Sequence, residues 1–267
     1  MSVFVLPDLH GNWRLALALL EQEGLVEIGE DDLPRRLRAT ETLVVQLGDL
    51  ANCVQSSINV DLQSAKLVGP FIDLMLVGNH EHPYFGGPPF DGFVQYAELK
   101  EALLKINDRG MMKAALEVDG ILLTHAGVTR DIDEVDKWHD GGKNKAAEVA
   151  KGLNTLWRDK DYQHGMFSCI GRTRGGAHVY GGVLWSDWRE PKSTLFPQIF
   201  GHTVAQTWRS ECPVNGGPSF TLIRPYDGAT PMQVQTLCID IGVGKKATSI
   251  LGCWIRDGEV KLVGYQQ

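Results

Sequence analysis

Seven residues spread over the chain carry side chains that bind cations or move protons, and each follows an apolar run. Asp8 and His10 come after Ser2–Leu6, Asp49 after Thr42–Leu47, Asn79 and His80 after Leu74–Val77, His125 after Val118–Thr124, and His202 after Ile199–Phe200. The set holds two carboxylates, one amide and four imidazoles, and it invites two metal ions. Carboxylate and imidazole without thiolate favour manganese, iron or zinc over a purely structural zinc site, and two ions need a shared bridging carboxylate. Asp8 and His10 stand two apart, so in an extended strand end both point to one side and could grip one ion. An alternative for Asp8 alone is the cap of the helix that follows. A single histidine is more often a satisfied structural residue than a ligand; five separate strand ends of this kind are hard to explain that way.

The elements that must position these groups are legible around residues 74–81, LMLVGNHE. Leu74 to Val77 suits a strand buried on both faces, and Gly78 allows a tight turn. Asn79, His80 and Glu81 then lie at a strand's carboxyl end, where open α/β sheets place ligands. Helical spacing is expected from Trp13 to Leu20, over residues 61–70, and from Tyr96 to Ile106, so the first 80 residues alternate strand and helix as βαβ units do. Residues 131–163 also read as helical, with Trp138 and Trp157 as packing anchors. Residues 24–41 read as a solvated surface connection, and His82–Gly92, with Gly86, Gly87, Pro88 and Pro89, as an irregular loop near the site. Val118–Thr124 is expected as one strand. The segment SCIGRTRGGAHVYGGVLWSDWRE, residues 168–190, is rich in glycine and arginine and suits a surface facing an anion. Thr236–Ile241, Ala247–Ile255 and Val260–Val263 read as strands of an antiparallel sheet.

The 267 residues suffice for one large domain or two small ones, and 43% hydrophobic with 22% charged residues is ordinary for a globular protein. A formal net charge of −7 disfavours broad binding to nucleic acid. Five cysteines, never spaced as CxxC, indicate neither a disulfide framework nor a zinc knuckle and point to a reducing, cytoplasmic setting. No basic leader with a small-residue cleavage site opens the chain, and no apolar run is long enough to span a membrane.

The ordered motifs DLHGN, GDLAN, GNHE, THAG and GHT resemble those of the calcineurin-like metallophosphoesterases, a superfamily that includes phosphoprotein phosphatases and dinucleoside tetraphosphatases. Five motifs in order, spread over residues 1 to about 245, make this likeness specific. It implies an α/β fold, a four-layer α/β/β/α sandwich of two mixed sheets with the metal site at strand carboxyl ends, here as a single domain over residues 1–267. It further implies that Asp8 and His10 hold a first ion, Asp49 bridges, and Asn79, His125 and His202 hold the second. The two divalent ions are expected as manganese, with iron or zinc as alternatives. His80 is not a ligand on this pattern; it contacts the phosphate or acts as general acid.

VLWSDWRE resembles the LLWSD segment of the phosphoprotein phosphatases, and CIDIGVG the IDTG segment of bacterial and phage-type enzymes. Where phosphoprotein phosphatases read GDYVDRG this chain reads GDLANCV. Asn52 thus replaces the acid that orients the catalytic histidine, and Cys53 replaces an arginine that clamps phosphate. Arg172 and Arg174, with Arg189 third, are the guanidinium groups expected to take over that contact. The implied reaction is hydrolysis of a phosphomonoester, phosphoserine or phosphothreonine on protein among them. The alternative within enzymes is a dinucleoside tetraphosphate. From another class, an inactive scaffold would keep the fold, but none of the expected ligands is missing.

Overall fold

Strand β1 (Ser2–Leu6) sends its side chains alternately into two cores, Phe4 and Leu6 into one, Val3 and Val5 into the other. That is the period of a strand covered on both faces. The computed structural model describes residues 1–31, 33–37, 41–51, 58–130, 138, 145–204, 209–211, 219–223, 232–242 and 247–267. In it β1 lies inside an eight-stranded mixed sheet. The order is β12 (Met232–Val234), β11 (Phe220–Ile223), β15 (Glu259–Gln266), β14 (Ser249–Arg256), β1, β4 (Thr42–Gln46), β5 (Leu74–Leu76) and β6 (Met112–Lys113). Strands β1, β4, β5 and β6 run parallel, and β14 runs antiparallel to β1. A five-stranded sheet has the order β10 (Arg209–Glu211), β13 (Thr236–Cys238), β9 (Gln198–Phe200), β8 (Ile121–Leu123) and β7 (Leu116–Val118), with β13, β9 and β8 parallel.

Between the sheets Val5, Val45 and Leu76 meet the core that contains Leu123, Ile199 and Leu237. Outside them, Leu15, Leu19 and Leu20 of α1 (Trp13–Gln22) and Leu99 and Leu103 of α4 (Ala97–Asp108) cover the larger sheet. Val149, Leu153 and Trp157 of α5 (Lys145–Arg158) lie against the smaller one. The result is the expected four-layer α/β/β/α sandwich, in which each buried aliphatic side chain contributes ~1.5–3 kcal/mol. A further short helix, α2 (Ile58–Leu67), falls where residues 61–70 are expected to be helical. No helix among the described residues is long and apolar enough to cross a membrane.

Four local expectations need correction. Residues 24–41 contain a hairpin, β2 (Val26–Ile28) and β3 (Pro34–Arg36), pinned when Arg36 donates to both oxygens of Asp73 and to the Thr42 carbonyl. His82–Gly92 opens with a single helical turn, α3 (His82–Phe85), because Pro83 suits the first turn and Gly86 ends it. Val118–Thr124 is not one strand: the chain reverses at Asp119 (φ 50°) and Gly120 (φ 81°), so β7 and β8 are a hairpin. The carboxyl-terminal strands do not form one antiparallel sheet. The buried β13 joins the smaller sheet parallel to β9, while β14 and β15 pair antiparallel in the larger. Within 131–163, α5 and the packing of Trp138 and Trp157 agree with expectation; residues 131–137 and 139–144 lie outside the described residues.

Candidate metal centre

Because the parallel strands of both sheets end on the same side, their loops converge. Asp8 follows β1, Asp49 follows β4, Asn79 and His80 follow β5, His125 follows β8 and His202 follows β9. Backbone bonds tie the loops together: Leu9 and His10 N–H donate to the Asp49 carbonyl (3.0 and 2.8 Å), and Gly201 N–H donates to the His125 carbonyl (2.7 Å). His202 N–H donates to Asp8 Oδ2 (3.0 Å), joining the two sheets and ending the helix-cap reading of Asp8. His10, Asp49 and His202 all sit at positive φ (46°, 53° and 69°). Left-handed backbone is unfavourable for these residues by about 1–3 kcal/mol each, and such strain gathers at working sites.

Asp49 is the hub. Its Oδ1 accepts the His80 N–H at 2.9 Å. Its Oδ2 lies 3.7 Å from His10 Nε2, 3.8 Å from His80 Nε2 and 3.6 Å from His125 Nε2. The ligand atoms of His10, Asp49 and His80 all lie within 4.8 Å of one another, as do those of Asp49, His125 and His202. His125 Nδ1 bonds the Leu47 carbonyl at 2.9 Å, which can only accept, so the Nε2 lone pair faces Asn79 Oδ1 at 2.9 Å. Two acceptors pointing at each other, with Asp49 Oδ2 beside them, are what a cation would hold together.

Electrostatics agree. Burial, then Asp240 and Asp49, push the Asp8 carboxyl well above its usual range. Burial chiefly, with Asp240, pushes Asp49 up to about 8, and burial with Asp49 does the same to Glu81. Burial lowers His125 to about 3 and holds His10 and His202 well below the ordinary imidazole range, with neighbouring histidines adding to the effect. The imidazoles therefore keep lone pairs available, and burial disfavours the charged form of the carboxyls, a cost that a dication would offset. Asp8 Oδ1, His10 Nδ1 and His202 Nε2 are buried without a hydrogen-bond partner among the described residues. These residues fit the two divalent ions expected. Since Asp49 must be a carboxylate to hold an ion and burial pushes its carboxyl up to about 8, loading at pH 7 should release about one proton. Affinity should then fall about tenfold per unit below pH 8 for each proton displaced. Calorimetry of Mn²⁺ binding in buffers of different ionisation enthalpy reads that number, and no release would contradict it.

All six expected ligands and His80 meet here, with one difference in grouping. Beside His10 and Asp49 the third group is His80, while Asp8 Oδ1 lies 3.9 Å from His125 Nδ1. The arginines do not converge equally. Arg172 and Arg174 share an exposed turn, and the charge of Arg174 offsets a small part of the burial-driven rise at Asp49 and adds to the burial-driven lowering of His125 and His202. Arg189 is held by Asp187 through Nε (2.8 Å) and Nη2 (3.0 Å). Asn52 and Cys53 lie outside the described residues.

Sequence reasoning placed Glu81 at a strand end without giving it a role, and it missed three further supporting groups. Glu81 accepts the N–H groups of Asp49, Leu50 and Gly78. Gln46 grips the Pro7 and Gly48 carbonyls and the Gly48 N–H. Asp240, just beyond β13, is buried and raises Asp8 and Asp49; its signal was the same strand-to-carboxylate junction, in CIDIGVG. Lys192, fully buried, had no motif to mark it.

A family profile described as calcineurin-like phosphoesterase matches residues 1–206. The chain belongs to that family. As a calcineurin-like phosphoesterase it is a metal-dependent hydrolase of phosphate esters, and the match spans every strand end described above except Asp240. Among solved structures, a protein serine/threonine phosphatase from Saccharomyces cerevisiae with similarity to human phosphatase PP5 aligns with 100% of this chain and 80% of its own. The identity is 10% and the TM-score 0.48. No curated protein matches this phosphoesterase.

Proposed function

We propose that this phosphoesterase uses two divalent ions, manganese foremost, to hydrolyse a phosphomonoester, with phosphoserine or phosphothreonine on protein among its substrates. The observation that carries the reading is Asp49 Oδ2, which lies 3.6–3.8 Å from imidazole nitrogens on both sides, so that one carboxylate serves two ligand groups. Asp8 and His10 would hold one ion, and Asn79, His125 and His202 the other. Bound there, the ions would supply Lewis acidity toward the phosphoryl oxygens and lower the pKa of water enough for attack near neutral pH.

The remaining steps belong to side chains. His80, fixed by its N–H bond to Asp49 and flanked by Phe90 (ring centroids 4.5 Å apart) and His10 (4.9 Å), donates a proton to the leaving oxygen. Arg174 meets the phosphoryl oxygens in the role its family relatives give to the residue at Cys53. The whole chain works as one domain, supported by the pairing of the carboxyl-terminal β14 with β1. Metal-reconstituted protein assayed against a phosphomonoester, a phosphodiester, a phosphopeptide and diadenosine tetraphosphate tests the reading. Phosphomonoester and phosphopeptide should turn over fastest. Turnover of diadenosine tetraphosphate alone would replace the substrate class, and no turnover with ions bound would make the chain a scaffold.

Arg174→Ala should lower kcat/KM for an aryl phosphate by about 10- to 100-fold, the loss of a charge-assisted hydrogen bond of about 1.5–3 kcal/mol. Arg189→Ala should cost less, because its guanidinium is committed to Asp187. An Arg174 variant within about threefold of wild type would remove it as the phosphate contact.

A further inference from the structure

Lys192 is buried with all three ammonium donors met. Its Nζ donates to the Ala126 carbonyl (3.0 Å), Ser186 Oγ (2.8 Å) and the Asp187 carbonyl (2.9 Å). The same nitrogen lies 4.7 Å from the centroid of the Phe200 ring. The three acceptors are neutral, and burying an ammonium is unfavourable unless every donor is matched, so an apolar side chain of similar length would serve packing as well. What the ammonium adds is a fixed distance between chain segments. Ala126 directly follows His125, and Phe200 precedes Gly201 and His202. Ser186 and Asp187 follow Trp185, whose ring lies 5.9 Å from that of His202. Ser186 Oγ extends the link by donating to the Ala126 and Gly127 carbonyls. Three loops that surround His125 and His202, themselves 3.1 Å apart, thus meet on one nitrogen.

We propose that Lys192 is a positioning residue for the ion pocket of Asn79, His125 and His202: by joining the Ala126, Ser186 and Asp187 groups it sets the spacing of those two imidazoles. The proposal rests on the two-ion reading. The His10 side of the centre, which none of its hydrogen bonds touches, should not depend on it.

Mn²⁺ titration of the metal-free protein by calorimetry, with Co²⁺ absorption as a spectroscopic signature, tests this in wild type, Lys192→Met and Ser186→Ala. Methionine keeps length without donors. Ser186→Ala keeps the lysine and removes one acceptor, so it carries the test if the methionine variant does not fold. The second ion should bind at least threefold more weakly in Ser186→Ala and at least tenfold more weakly in a folded Lys192→Met. The first should stay within threefold, and the Co²⁺ spectrum of the second site should change. Weakening of the second ion by less than threefold in Ser186→Ala, or equal weakening of both ions, overturns the role. Wild type that takes up fewer than two ions sinks the two-ion reading and this inference with it; wild type that takes up two, with unchanged variants, sinks this inference alone.

Discussion

Asp49→Ala should remove both ions and lower kcat/KM by about a thousandfold or more. The magnitude follows from the several kcal/mol of transition-state charge stabilisation that bound ions provide, at 1.36 kcal/mol per factor of ten. Other single ligands should act more narrowly. Asp49 Oδ2 is the atom common to the His10 and the His125–His202 groups, so its loss opens both, while His202→Ala touches only one. Fold should survive, because the substitution removes a buried carboxyl with a raised pKa rather than a packed apolar group. Elemental analysis and circular dichroism on the same sample separate the effects. A folded Asp49→Ala that keeps two ions, or one that keeps wild-type turnover, would end the bridging role.

The strand ends were the legible part of this chain. Each ligand-type residue follows a short apolar run, and burial of β5 on both faces is written in Leu74–Leu76. Register between the two sheets was not legible, since β13 reads equally well as a parallel or an antiparallel strand until its partner β9 is known. The hairpin at Asp119–Gly120 carried a recognisable Asp-Gly turn that a continuous apolar reading overrode. Arg189 stood third behind Arg172 and Arg174, yet nothing in a sequence shows that Asp187, two residues away, already occupies its guanidinium. Lys192 and Gln46 were silent for a related reason: most of their partners are backbone groups, which have no sequence identity.

Glu81 was written beside the histidine of GNHE, yet its work concerns another loop. Its Oε2 accepts the Asp49 and Gly78 N–H groups at 2.8 and 3.0 Å, and its Oε1 accepts the Leu50 N–H at 3.0 Å. These bonds hold Asp49 in its left-handed conformation and draw Gly78 so near that a Cβ there would come within 2.1 Å of Asp49 Oδ1. Glu81→Ala leaves three buried donors unmatched, at about 1–3 kcal/mol each, so stability should fall by about 3 kcal/mol or more. At about 2–4 °C per kcal/mol in a chain of this size, the metal-free protein should melt roughly 6–12 °C lower. Glu81→Gln keeps the shape and one oxygen but turns an NH₂ toward an N–H. It should fold, lose less stability than the alanine variant, and bind Mn²⁺ about 10- to 100-fold more weakly, the usual effect of removing a group that orients a ligand. Differential scanning calorimetry without metal and Mn²⁺ titration of the glutamine variant are the two measurements. An alanine variant that melts with wild type would mean that water serves those N–H groups equally well. A glutamine variant with wild-type affinity would mean that Asp49 holds its place without Glu81.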